Sequence, residues 1–169
     1  RAISRGEMEK LALFAGPGVT IDLDMAMASV GDSAADSIDE LIYAAGDGDA
    51  NGVDLYLMRS LQAGGTAVGI LRALTNHLMR LEAAGARIAQ GDPAPSVLKS
   101  LRPPVFYKLE RRFKNQLRIW ERNALARGLK LTLDAELQCK TTGLPEDVVC
   151  GRALLQIASL ARQLQRHIR

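Results

Sequence analysis

Apolar residues recur every three or four positions along most of this sequence, which is the spacing of helices buried on one side. The longest such pattern covers 67–89, where Leu71, Leu74, Leu78 and Leu81 share one predicted face. The run 129–133 alternates like a strand, but the longer window around it has helical spacing. The sequence therefore predicts an all-α protein.

Capping and breaking residues indicate where these helices end. Ser37 and Glu40 have the spacing of a capping box, which predicts a helix N-terminus at Ser37. Thr66 follows a glycine pair and is expected to cap the next helix. The predicted helices span about 50–62, 67–89, 96–100 and 120–140, with others beginning near Ser37 and after Pro145. The last of them has one apolar face, formed by Val149, Ala153, Ile157, Leu160 and Leu164. Because the connections are short, we expect an antiparallel helical bundle.

The helix expected at 120–140 has apolar residues on two sides. One stripe contains Leu125, Leu129, Leu133 and Leu137, and the other contains Trp120, Ala124, Leu131 and Ala135. We expect this helix to be buried on both sides, with Leu133 in the core together with Leu74.

The first 32 residues form a separate segment in this interpretation. A capping box at Ser4 opens a short helix, Gly16–Gly18 ends it, and a second short helix is expected at 22–30. We place the boundary at Gly31, which gives segments 1–32 and 33–169. Because the chain starts at Arg1 inside a helical pattern, we interpret it as part of a longer protein.

The net charge of +3 conceals an uneven distribution. Residues 1–60 have four Lys/Arg and eleven Asp/Glu, whereas residues 61–169 have eighteen and eight. The densest basic segment, Lys99–Lys130, has ten Lys/Arg against two Glu. It fits either the solvated faces of amphipathic helices or a surface for nucleic acid or an acidic partner. Seven aromatic residues argue against a base-stacking platform.

Sequence signals of catalysis are missing. There is no glycine-rich loop ending in Gly-Lys-Ser/Thr and no Gly-x-Ser-x-Gly motif, and the two histidines are isolated. We therefore expect no catalytic residue, no cofactor and no metal. Cys139 and Cys150 are interpreted as reduced thiols of a cytoplasmic protein. No apolar run is long enough to span a membrane.

Several segments, in order along the chain, resemble the C-terminal part of the delta subunits of the bacterial DNA polymerase III clamp loader. They are Ile3–Leu11, Phe14–Gly16, Val30–Asp32, Leu71–Leu74, Leu78–Leu81, Leu101–Phe106, Trp120, Ala135–Leu137 and Lys140–Pro145. The resemblance implies that 1–32 ends an AAA+-like lid region and that 33–169 is a helical collar domain. It also implies a role in DNA replication, within a DNA-directed DNA polymerase holoenzyme, a nucleotidyltransferase.

The resemblance also implies partners. The collar would hold delta in a pentamer with the gamma/tau and delta-prime subunits, and would meet DNA only through that assembly. The sliding clamp would be contacted by an N-terminal domain outside this chain. As candidate subunit contacts we nominate an aromatic residue and nearby arginines: Arg118, Trp120, Arg122, Arg162 and Arg166. The alternative for Trp120 is that it fills the intramolecular core. The alternative function is a basic nucleic-acid-binding domain using Lys99–Lys130.

Overall fold

The computed structural model describes residues 34–141 and 143–168, and these ranges contain helices and no strand. The α-helices are α1 (Ala34–Asp47), α2 (Ala50–Gln62), α3 (Ala67–Ala89), α4 (Ala94–Ser100), α5 (Glu110–Ile119), α6 (Arg122–Cys139) and α7 (Glu146–Ile168). A 3-10 turn, Tyr107–Leu109, precedes α5. The predicted all-α class is confirmed. The predictions for 1–32 and for the boundary at Gly31 lie outside the described residues.

The ends of α2 and α3 agree with the sequence prediction, and polar side chains explain why. The Thr66 hydroxyl accepts a hydrogen bond from the Gly69 amide at 3.1 Å, as expected of an N-cap. Asp49 caps α2 in the same way through the Gly52 amide. The prediction for α1 is wrong, because that helix begins at Ala34 and Ser37 lies inside it.

Helices α3 and α6 lie side by side and run in opposite directions. Arg72, near the start of α3, bonds to Glu136 near the end of α6. Leu78, farther along α3, lies beside Gly128, which is earlier in α6. Higher numbers in one helix therefore pair with lower numbers in the other, which is the antiparallel arrangement expected of a bundle.

Helices α3 and α7 are the central elements, and α7 contacts α1, α2, α3, α5 and α6. The predicted apolar face of α7 is buried at Val149, Ala153, Ile157 and Leu160 and partly buried at Leu164. Pro145 precedes α7, and its carbonyl accepts hydrogen bonds from the amides of Val148 and Val149.

Helix α6 is buried mainly through small residues, and of its leucines only Leu125 is fully in the core, at 4% exposed. Gly128 approaches so closely that a Cβ there would lie 3.3 Å from Leu78 and 3.4 Å from Ile157. Leu133 is 49% exposed and Leu137 is 65% exposed, so the predicted core position of Leu133 is wrong. The small side chains let α3 and α7 pack tightly. Of the predicted leucine stripe, Leu125 is buried and Leu129 is partly buried, whereas Leu133 and Leu137 are left on the outside.

Candidate functional site

The turn between α1 and α2 is held by side chains from distant parts of the chain. Trp120 Nε1 donates to the Gly46 carbonyl at 2.9 Å, Gln165 Nε2 to Asp47 at 2.8 Å, and Arg162 Nη2 to Gly48 at 2.8 Å. The last carbonyls of a helix have no partner within it, so these donors satisfy the end of α1. The turn is thus a point where two other segments, the break before α6 and helix α7, are fixed.

Two of the five nominated contact residues, Trp120 and Arg162, bond to the α1–α2 turn of this chain. Trp120 is 4% exposed, so its side chain lies in the core of this chain, as its alternative interpretation describes. It also lies outside α6, which begins at Arg122, although the sequence predicted a helix at 120–140 that includes it.

The nominated arginines are exposed side chains in three places. Arg118 and Arg122 flank the break between α5 and α6. Arg162 is exposed in part, but its guanidinium is bound to the Gly48 carbonyl. Arg166 lies in the last turn of α7. Of these, Arg118, Arg122 and Arg166 present their guanidinium groups at the surface.

A buried polar network lies beneath the α1–α2 turn, centred on Gln116. The Gln116 amide nitrogen donates to Asp47 Oδ1 at 2.6 Å and to the Tyr43 carbonyl at 3.2 Å. Those two acceptors orient the amide, so its oxygen faces His77 Nε2 at 2.6 Å. His77 must therefore carry its proton on Nε2.

His77 is kept neutral by its surroundings. The pKa of His77 is lowered to about 4, and burial is the largest cause. The hydrogen bond to Gln116 opposes this shift, and the nearby cations Arg80 and Arg112 contribute to it. The ring also lies 4.7 Å from the Tyr43 ring, centroid to centroid. Burial likewise raises the pKa of Tyr43 to about 12.

Arg112 closes the network at the surface. It bonds Asp47 Oδ2 and Glu40 Oε2, each at 2.6 Å, and its guanidinium lies 5.3 Å from the centre of the Tyr43 ring. Burial works against its charge, but the two carboxylates outweigh burial and raise the pKa of Arg112. Arg112 thus links α5 to two carboxylates of α1.

A cleft of about 320 Å³ opens beside this network, between α1, α3 and the segment that leads to the 3-10 turn. Its walls include Tyr43, His77, Arg80 and Phe106. Arg80 Nη2 donates to the Pro103 carbonyl at 2.9 Å, which ties the segment to α3. These groups hold the fold together, and no side chain in the cleft wall is an activated nucleophile.

The signal for this network in the sequence is weak. His77 follows Leu74 by three residues, so it lies on the buried face of the predicted helix, and Gln116 has the same relation to Phe113. A polar residue on an apolar stripe must find a hydrogen-bond partner, but the partners are far away in sequence. Only the fold brings them together.

The second cluster consists of exposed aromatic and basic side chains around the start of α5. Phe106 is 47% exposed and Tyr107 is 65% exposed, and their ring centroids are 4.8 Å apart. Lys108 Nζ lies 5.9 Å from each ring centre. Arg111 and Arg118 are exposed on α5, the helix that follows these rings. The number of aromatic residues in the sequence could not identify this pair, because it does not show that two of the rings are adjacent and at the surface.

The third cluster is the outward face of α6, which we call the α6 leucine face: Leu129, Leu133 and Leu137. Leu129 is partly buried, and the other two are exposed. Residues four apart on a helix form one ridge, so the three side chains lie in a row. Among the described residues, no helix packs over this row.

The described residues provide no metal centre. No group of three or more His, Cys, Asp and Glu among them could hold an ion. Cys139 and Cys150 are free and buried, and burial raises the pKa of both thiols. Such thiols are poor nucleophiles at neutral pH. None of the described helices is both long and apolar enough to cross a membrane.

Comparison with known proteins identifies no relative. No protein-family model, curated protein or solved structure matches this chain.

Proposed function

We propose that this chain is an assembly module, the collar part of a clamp-loader delta subunit in DNA replication, which holds its protein in a complex with gamma/tau and delta-prime subunits. The observation that carries the proposal is the exposure of Leu133 and Leu137 on α6. A helix that already packs on α3 and α7 yet keeps a row of leucines outside has a second apolar face for another chain.

Two further features support an assembly role over catalysis. The polar side chains of the buried network satisfy one another, as Gln116 does between His77 and Asp47, so this network stabilises the fold. The resemblance in segments such as Leu101–Phe106 and Lys140–Pro145 supplies the identity of the partners. The cytoplasm is the compartment that this role requires.

The test is a mixing experiment with purified subunits. The chain is incubated with gamma/tau and delta-prime, and the mass of the products is measured by light scattering after gel filtration. A complex that contains this chain at micromolar or tighter affinity is the expected result. Elution of the chain as a separate species at concentrations well above this range would contradict the proposal.

A nucleic-acid-binding function is the second candidate, and the Phe106–Tyr107 pair is the observation that favours it. Exposed rings can stack on unpaired bases, and the neighbouring cations Lys108 and Arg111 would bind the phosphates of the same strand. Binding of a fluorescent single strand should then weaken steeply with salt. It should also weaken in Tyr107→Ala but not in Leu55→Ala, which removes an exposed apolar side chain from α2. Equal effects of the two substitutions would exclude the stacking site.

A further inference from the structure

We propose that the α6 leucine face receives an amphipathic helix whose apolar stripe is flanked by acidic residues, contributed by a neighbouring subunit. The inference rests on the proposed assembly function and specifies where on this chain, and by what chemistry, the neighbour is bound.

The shape of the face indicates a helical partner. Leu129, Leu133 and Leu137 form one ridge along α6, and such a ridge fits into the groove between side-chain rows of another helix. Exposure increases along the ridge, from the partly buried Leu129 to Leu137 at 65%. The ridge is thus anchored in the bundle at one end and open at the other.

The charge around the face indicates an acidic partner. Arg122 and Lys130 are exposed on α6 and form no ion pair with any of the described residues. Glu136 is matched by two cations, since it lies 3.1 Å from Arg72 Nε and 2.7 Å from Lys140 Nζ.

The other carboxylate in this part of α6 offsets only part of that charge. Asp134 lies one turn after Lys130, in the groove that Arg152 of α7 also lines. The border of the leucine face therefore has an excess of positive charge.

The same charges disfavour a second copy of this chain as the occupant. In a two-fold dimer each patch meets its own duplicate. The exposed Arg122 and Lys130 of one copy would then lie against the basic border of the other, and like charges across an interface oppose binding. An acidic helix on a different subunit meets both requirements of the face.

The experiment compares matched substitutions in the mixing assay with gamma/tau and delta-prime. Leu133→Ser is paired with Leu55→Ser, because the two leucines are 49% and 47% exposed and α2 does not pack on α6. Lys130→Glu is paired with Lys99→Glu on α4, which packs on α3. We expect Leu133→Ser and Lys130→Glu each to weaken the complex by about tenfold or more, and the two controls by less than about threefold.

The salt dependence of complex formation distinguishes a charge contact by Lys130 from a merely structural role of this residue. Sodium chloride should weaken the wild-type complex more steeply than the Lys130→Glu complex, since the charge attraction is already lost in the variant. Circular dichroism and the melting temperature of each variant should remain those of the wild type, because all four positions are exposed.

The possible results separate the two proposals. If the wild-type chain joins no complex, the assembly function fails and the docking site with it. If the wild type assembles and Leu133→Ser and Lys130→Glu behave like their controls, the docking site fails while the assembly function stands. If the chain alone forms a dimer that Leu133→Ser dissociates, a second copy occupies the face and the acidic-helix proposal is wrong.

Discussion

The indole Nε1 of Trp120 lies 2.9 Å from the carbonyl oxygen of Gly46, and this hydrogen bond joins the break between α5 and α6 to the end of α1. The Gly46 carbonyl is one of the last in its helix, so it has no amide partner one turn later. A buried indole here satisfies the carbonyl and fills the core at the same time. Trp120 is therefore explained within this chain.

Trp120→Phe should lower the stability without changing the fold. An aromatic ring is kept, but phenyl is smaller than the buried indole and the Gly46 carbonyl loses its donor; the lost hydrogen bond alone costs about 1–3 kcal/mol. Chemical denaturation followed by circular dichroism measures the change, because the substitution removes the only tryptophan. Phe106→Leu, at an exposed ring, is the control and should change stability by less than about 0.5 kcal/mol. Equal stability of wild type and Trp120→Phe would show that the hydrogen bond contributes nothing.

Acid should destabilise the fold through His77. The pKa of His77 is about 4 in the folded chain and 6.5 when unperturbed. Between pH 4 and pH 6.5, the unfolded state therefore binds a proton on this ring and the folded state does not. Stability from this group is present above pH 6.5 and is lost as the pH falls towards 4. From pH 7 to 5 the wild type should lose about 2 kcal/mol more than His77→Gln, which has no titrating group there. Parallel urea midpoints for the two proteins at both pH values would contradict this.

Leu74 and Leu133 should respond very differently to truncation, although the sequence predicts both in the core. Leu74 is 0% exposed, so Leu74→Ala leaves a cavity and should cost about 2–5 kcal/mol. Leu133 is 49% exposed, so Leu133→Ala should cost less than about 1 kcal/mol. Thermal melts of the two variants give the comparison, and a similar loss in both would mean that Leu133 is covered within the chain.

Gly46→Ala should destabilise the protein even though alanine favours helices. A Cβ at this position would lie 2.6 Å from Gln116 Oε1, and Gln116 cannot shift without losing its bonds to His77 and Asp47. We expect a cost of about 1–3 kcal/mol.

Gly85→Ala is the matched control for that substitution. Its added Cβ would meet no atom within 4 Å, in the middle of α3. It should therefore stabilise the protein by about 0.5–1 kcal/mol. If both substitutions change the denaturation midpoint in the same direction, the close contact at Gly46 is not restrictive.

Local chemistry explains which parts of the fold could be predicted. The bounds of α2 and α3 depend on neighbours in sequence, such as Thr66 with Gly69, so the pattern of residues determines them. The buried face of α7 follows from its regular spacing. Ser37 misled the prediction because a Ser-x-x-Glu pattern also occurs inside helices, and nothing nearby in sequence distinguishes the two cases.

For the described residues, the sequence by itself determined the helical class, the bounds of α2 and α3, and which face of α3 and α7 is buried. Only the tertiary structure decided which side of α6 turns inward, because Gly128 lets α3 and α7 come close and that contact excludes Leu133. It also brought His77 to Gln116, 39 positions away along the chain. Periodicity reports what lies on one helix face, whereas the partner of that face depends on how helices distant in sequence pack together.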